Sequence, residues 1–443
     1  MNKAFLPALL LIVSLLFVAC PLIAAQSGTQ VGGTIDSVVT WTASNSPYSL
    51  TSPVVVGYSG RLLIQPGVTV NLNSFNLQVN GYLIAQGASG SNIIFTSSGG
   101  NIALTATSAS YDQQEGSGCI IAYATVTNAA ILTSSTAPMI CNDTISDVGN
   151  ENGAITMQSG APTITGNTIT GGIQCIDDAS PTITNNFIVG GISGSGEDES
   201  SPIIVGNVIE SGSSLMVSGT GIYADGSNYY IANNTIFGCT TAISIDDGAP
   251  YIVGNLIINN TDAITLNGDP TSPAMTVLHN TICNNTVGLS LSYGTAGSTT
   301  IAYNNFVANG KYTLNGTLAN NWWGTTNQAA IAQMLPNGAT YLPILNSPDT
   351  QAPPVPSNLP SSPPSATPTP SPSPTPSPFV STTPQTQNAV TNSGSPTATP
   401  TQQPTATATP NLSIPEITSI AAMAVLALSL AASLTLTARK HGK

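Results

Sequence analysis

Along the middle of the chain, apolar residues come in short runs broken by Gly, Asn, Thr and Pro. One pattern returns. Pro162-Thr-Ile164-Thr-Gly-Asn167-Thr-Ile169 reappears around Ile183, Asn186 and Ile188, around Ile204, Asn207 and Ile209, and around Ile252, Asn255 and Ile257. Weaker copies centre on Asp143, Asn234, Asn280 and Asn305, with successive centres 24, 19, 21, 27, 21, 25 and 25 residues apart. Two-helix repeats need ~33–47 residues and propeller blades ~40 or more, so this period predicts one coil of a parallel β-solenoid. Proline opens a strand, where its missing N–H costs least. The first isoleucine faces inward. The asparagine takes the bend, where left-handed backbone is tolerated. The second isoleucine continues the core.

Stacked copies predict an internal asparagine ladder of Asn167, Asn186, Asn207, Asn234, Asn255, Asn280 and Asn305, each amide satisfying the next. Alternating segments at Arg61–Val70 and Gly81–Ile84 extend the design toward the N-terminus. About eleven coils result, a rod of roughly 50 Å at ~4.8 Å per coil. Solenoid ends need covers. Asn320-Asn-Trp322-Trp323-Gly324, a helical stretch over 328–335 and Tyr341–Leu345 are placed to close the C-terminal end, with a sugar-stacking role for the two tryptophans as the alternative.

The ends differ in composition. Residues 1–25 read as a secretory leader: Lys3, an apolar run from Phe5 to Ala19, then Ala24-Ala25. Phe17 to Cys20 faintly resembles a lipoprotein box. Residues 346–412 are rich in Pro, Ser and Thr and predict a disordered, extended stalk. Ile417 to Ala438 carries no charge, long enough for a single membrane span over 413–438. Arg439 and Lys440 then mark 439–443 as the cytoplasmic tail. The expected organisation is leader, β-helix over 26–345 (regular coils about 120–318, cap 319–345), stalk, anchor and tail.

Charge narrows the function. Formal net charge is −13, and Arg61 and Lys311 are the sole Lys or Arg between 26 and 412. Nucleic-acid binding needs clustered cations and is excluded. Five exported cysteines, Cys119, Cys141, Cys175, Cys239 and Cys283, show no disulfide framework and no CxxC spacing.

These residues resemble the secreted right-handed parallel β-helix proteins, the NosD-like and pectate-lyase-like superfold. The likeness rests on the Asn-centred repeat, Ile64-Gln-Pro-Gly-Val68 and Asn321-Trp-Trp-Gly-Thr-Thr326, and covers roughly 50–345. The stalk and span resemble archaeal surface-anchored members. Lyases of the superfold use calcium and an arginine or lysine base; Arg61 and Lys311 fall near opposite ends of the rod and cannot supply that set. Polygalacturonase-like chemistry lacks its basic motif, and His279 alone, read as structural, makes no triad. Met157, Met216, Met275, Cys175, Cys283 and His279 show no copper spacing, so no copper site is assigned.

One constellation remains. Nine residues before Asn186, Asn207, Asn234 and Asn255 stand Asp177, Asp198, Asp225 and Asp246; the following positions hold Asp178, Glu199, Gly226 and Asp247. Equal offsets predict a carboxylate column at ~4.8 Å steps. Three readings stay open for it: a solvated acidic turn, a calcium-binding ladder, and a pair of glycosidase carboxylates. Sequons begin at Asn142, Asn233, Asn259, Asn284, Asn315 and Asn411, the last being the most accessible acceptor. Taken together, the sequence predicts a membrane-anchored cell-surface protein that contacts glycans or other surface proteins, with a polysaccharide-active enzyme as the alternative.

Overall fold

The computed structural model describes residues 28–357 apart from 148–151, 196–199, 212–218, 227, 269–273, 293–298 and 315. The predicted leader, most of the stalk, the membrane span and the tail, with Cys20 and Asn411, lie outside the described residues. Among the described residues, no helix is long and apolar enough to cross a membrane.

The chain winds into a parallel β-solenoid of about eleven turns. Each turn has three short strands, as in Thr163–Thr165, Thr168–Thr170 and Ile173–Ile176. The first strands of successive turns form a twelve-stranded parallel sheet, the first face. The second and third strands stack as a second and a third face, which join at Tyr48–Val56, a long strand that pairs with both Thr69–Asn73 and Leu77–Val79. Three strands per turn follow from bends on both sides of the second strand.

Register repeats from turn to turn. Ile140, Ile164, Ile183, Ile204, Ile231 and Ile252 pair in sequence along the first face and are fully buried. Ile145, Ile169, Ile188, Ile209, Ile236 and Ile257 do the same on the second. Burying each of these side chains contributes ~1.5–3 kcal/mol. β-Branched isoleucine also suits a flat pleated surface.

At the C-terminal end Trp323 is buried, stacked on Phe306 at 4.9 Å and edge-on to Tyr312 at 5.3 Å. Helix α1, Gln328–Met334, follows, its first turn capped by the Asn327 side chain and Ile331 buried beneath it. Trp322 is half-buried and joins the last turn through its backbone: its N–H donates to Asn304 O, and its carbonyl accepts from Phe306 N–H. Beyond residue 345, where composition places the stalk, the chain stays on the rod. Asp349 N–H donates to Asn305 Oδ1 at 2.7 Å, and Thr281 Oγ1 donates to the Pro353 carbonyl.

Candidate binding face and the polar spine

An unbroken polar column runs inside the corner between the first and second faces. The backbone N–H and Nδ2 of Asn167 both donate to Oδ1 of Asn186 at 2.9 Å. The same double bond joins Asn186 to Asn207, Asn207 to Asn234, Asn234 to Asn255 and Asn255 to Asn280. Each Nδ2 also donates to a carbonyl of the preceding turn, as Asn207 does to Ile183.

The column then passes through Asn304 and ends at Asn321, so Asn305 is not a rung. Asn305 instead opens the next strand, where its side chain binds the backbone of Asp349. Its neighbour wins the place because Ile301 and Phe306 take the two inward positions, three before and two after Asn304.

The left-handed residue is not the rung but the residue before it. Asn142, Gly166, Asn185, Gly206, Asn233, Gly254, His279, Tyr303 and Asn320 all have φ between 54° and 69°. A second column, not anticipated from sequence, fills the next corner. Cys239 N–H donates to Asn260 Oδ1, Asn260 bonds to Asn285, and Asn285 to Asn309. Its signal was present: asparagine recurs five residues after Asn255, Asn280 and Asn304.

The third face carries the acidic residues, but not as the offset count placed them. In backbone register along this face stand Gln158, Ile176, Ser195, Asp225, Asp246, Asn267 and Ser292. Asp225 and Asp246 are therefore neighbours. Asp177 lies one place later, at the left-handed corner it shares with Asp247 (φ 52° and 61°), and Asp178 follows it. The turn leading back to the first face varies in length, so counting backward from the asparagine loses register. Asp198 and Glu199 lie outside the described residues. Among the described residues, no group of three or more His, Cys, Asp or Glu gathers as a metal site.

Asp246 is well held: Tyr223 donates to its Oδ2 at 3.0 Å and Asn267 Nδ2 to its Oδ1 at 2.5 Å. Desolvation, the hydrogen bond and the charges of Asp246 and Asp225 push the Tyr223 phenol up to about 12. Desolvation first, then the charges of Asp246 and Asp247, raises the Asp225 carboxyl above its usual value.

Toward the N-terminal side of the same face lies a groove of about 460 Å³. Asn101, Thr105, Thr156 and Gln158 offer neutral polar groups to it, and Leu132 and Ile176 form apolar patches. Gln158 Nε2 donates to Asp177 Oδ2 at 2.9 Å beside it. Neither cation of the described rod reaches the groove: Arg61 lies over the Tyr82 ring and Lys311 is on the last third-face strand.

Residues 197–341 match the family model of NosD, described as a periplasmic copper-binding protein. Over that third of the chain the parallel β-helix is similar to NosD. Crystal structures of variants of the periplasmic alginate epimerase AlgG are also similar: three of them, at 12–13% identity and TM-scores of 0.28–0.29, cover 71% of this chain and 84% of their own. No curated protein matches by sequence.

The NosD-like turns also carry an aromatic pair on the outer side of the first face, Tyr230 and Tyr251, with parallel rings 5.7 Å apart and about 40% exposed. His279 stacks on Tyr303, and its Nδ1 lies 2.9 Å from Asp349 Oδ2. All five described cysteines are free thiols; Cys141 is half-buried and the others are buried.

Proposed function

We propose that this chain is an exported, membrane-anchored β-helix that binds neutral glycan chains along its third face. The groove beside Gln158 carries the reading. Its volume falls within the ~300–1,000 Å³ of ordinary ligand sites, and its lining mixes apolar patches with a few polar groups. Sugars present the same mixture, hydroxyls at the rim and C–H surfaces on the faces. A groove without cations selects against uronates and phosphates. Side chains that repeat every ~4.8 Å match a polymer whose own repeat is one sugar ring long.

The test is retention of the protein on immobilised neutral and anionic polysaccharides. Neutral polymers are expected to retain it, and Leu132→Arg, which fills the groove, to weaken retention at least tenfold. Equal retention of the variant would remove the groove from the reading. Association with membranes that survives high salt but yields to detergent is expected of the full chain.

One observation favours a second reading, glycoside hydrolysis. Asp225 and Asp246 stand one turn apart in unlike environments, one raised by burial and like charge, the other held by Tyr223 and Asn267. Neighbouring carboxyls on adjacent turns, one of them raised above its usual value, suit acid and nucleophile roles. Release of reducing ends, lost in Asp246→Asn, distinguishes cleavage from binding.

Among the described residues, the copper candidates do not meet the description of NosD as a copper-binding protein. Met157 and Cys175 are neighbours in register, but both are sealed in the core. Burial pushes the Cys175 thiol up to about 12, so it keeps its proton. His279 is engaged by Asp349. No step is assigned to copper.

A further inference from the structure

We propose that Asn142, Asn233 and Asn259 are N-glycan acceptors, and that Asn284, which carries the same sequon, is not; the inference rests on export of the chain. The motif follows from the corner geometry. Each sequon is a left-handed residue, a buried ladder residue and a threonine that opens the next strand, as in Asn233-Asn234-Thr235, or stands just before it, as in Asn259-Asn260-Thr261. Left-handed backbone turns the first side chain away from the core.

The four sequons then differ in what their amides do. Asn142, Asn233 and Asn259 are exposed. At Asn259 the carbonyl Oδ1 accepts from Asn284 Nδ2 at 2.6 Å, a bond that does not use its own nitrogen. A glycosylated asparagine keeps its Oδ1 as an acceptor, so this contact survives modification. Asn284 is the reverse: it is 4% exposed and its Nδ2 is the donor in that bond. A sugar on that nitrogen would have to break the contact and displace its surroundings.

The co-reactant is a lipid-linked oligosaccharide phosphate. The amide nitrogen bonds to the anomeric carbon, the carbon–oxygen bond to the phosphate breaks, the amide proton is lost, and the lipid phosphate departs. Asn142 and Asn233 project from one corner ridge and Asn259 from the next, so the sugars would line the edges of the second face.

The structure supplies fold-neutral variants. Gly166, Gly206 and Gly254 occupy the corner place of Asn142 and Asn233, and Gly238 that of Asn259, all at positive φ. Asn142→Gly, Asn233→Gly and Asn259→Gly therefore keep the backbone. The full chain, with its own leader, is produced in an N-glycosylating secretory host carrying Ser381→Asn, which makes a control sequon in the Pro/Ser/Thr segment. Peptide mass spectrometry is expected to find glycan at 142, 233 and 259 and none at 284. Each glycine variant should lose one glycan mass. A modified control with bare Asn142, Asn233 and Asn259, or glycan on Asn284 in folded protein, overturns the inference. A bare control overturns export, and the inference with it.

Discussion

The N–H of Asp143 donates to Oδ1 of Asn167 at 2.8 Å, so the first rung of the asparagine spine is an acid. Its Oδ1 accepts from Ala124 N–H at 2.6 Å, as a rung amide would. Its Oδ2 takes the place of Nδ2, is buried, and has no hydrogen-bond donor facing it. An asparagine there would donate; a carboxylate cannot. Burial accordingly raises the Asp143 carboxyl well above its usual range.

Asp143→Asn is expected to stabilise the rod by about 1–3 kcal/mol at neutral pH, the cost of an unsatisfied buried group. The pH dependence has a definite sign. The folded carboxyl holds its proton to higher pH than the unfolded one. Its contribution is complete below the unfolded value of ~4 and is lost as pH rises toward the folded value. Urea unfolding from pH 3 upward should show that decline in the parent and a smaller one in the variant. Parallel curves would reject the assignment.

Asn207→Ala removes a rung from the middle. It leaves Asn186 N–H without its acceptor and removes the side-chain bonds to Asn186 Nδ2, Ile183 O and Asn234 Oδ1, although Asn186 Nδ2 keeps Ile164 O and Asn234 Oδ1 keeps the backbone N–H of residue 207. One unsatisfied buried N–H costs about 1–3 kcal/mol and each further bond lost about 0.5–1.5 kcal/mol, so the loss should reach ~3 kcal/mol. Thermal melting measures it, and a fall in melting temperature of only a degree or two would contradict the expectation.

Trp323→Ala opens the C-terminal cover. Loss of a buried aromatic costs about 3–5 kcal/mol. Hydrogen exchange is expected to accelerate first at Phe306 and Tyr312, which the indole touches, while amides near Ile164 stay protected. Uniform acceleration would show that the cap does not act locally.

Asp225→Asn relieves repulsion from Asp246 and Asp247 and should raise stability by a few tenths to about 1 kcal/mol, the scale of exposed charge pairs. Asp246 already has two donors, and among the described residues no three carboxylates are placed to hold a metal ion. Melting in calcium and in chelator is therefore expected to agree within a degree. A clear rise with calcium, absent in the variant, would instead place a cation between these turns.

The repeat was legible where each landmark had one candidate. Pro162, Ile164, Asn167 and Ile169 fix a turn because a strand opener, an inward residue and a bend each have a distinct chemistry. Register slipped where two asparagines stood together: Asn304 and Asn305 are separable only if Phe306 is read as the isoleucine equivalent. The acidic residues were misaligned because turns facing solvent carry no packing constraint on their length. Asp177 and Asp246 thus share an offset without sharing a place. The acid at position 143 was visible as a weak repeat, but its missing donor appears only once the rung bonds are traced.

The fastening of Asp349 to His279 and Asn305 changes how the rod would bear a load. Tension applied to the chain beyond Asp349 would not reach the outermost turn as a peeling force. It would first meet side-chain bonds spread over two successive turns and pulled in shear, which must fail together before unwinding can begin.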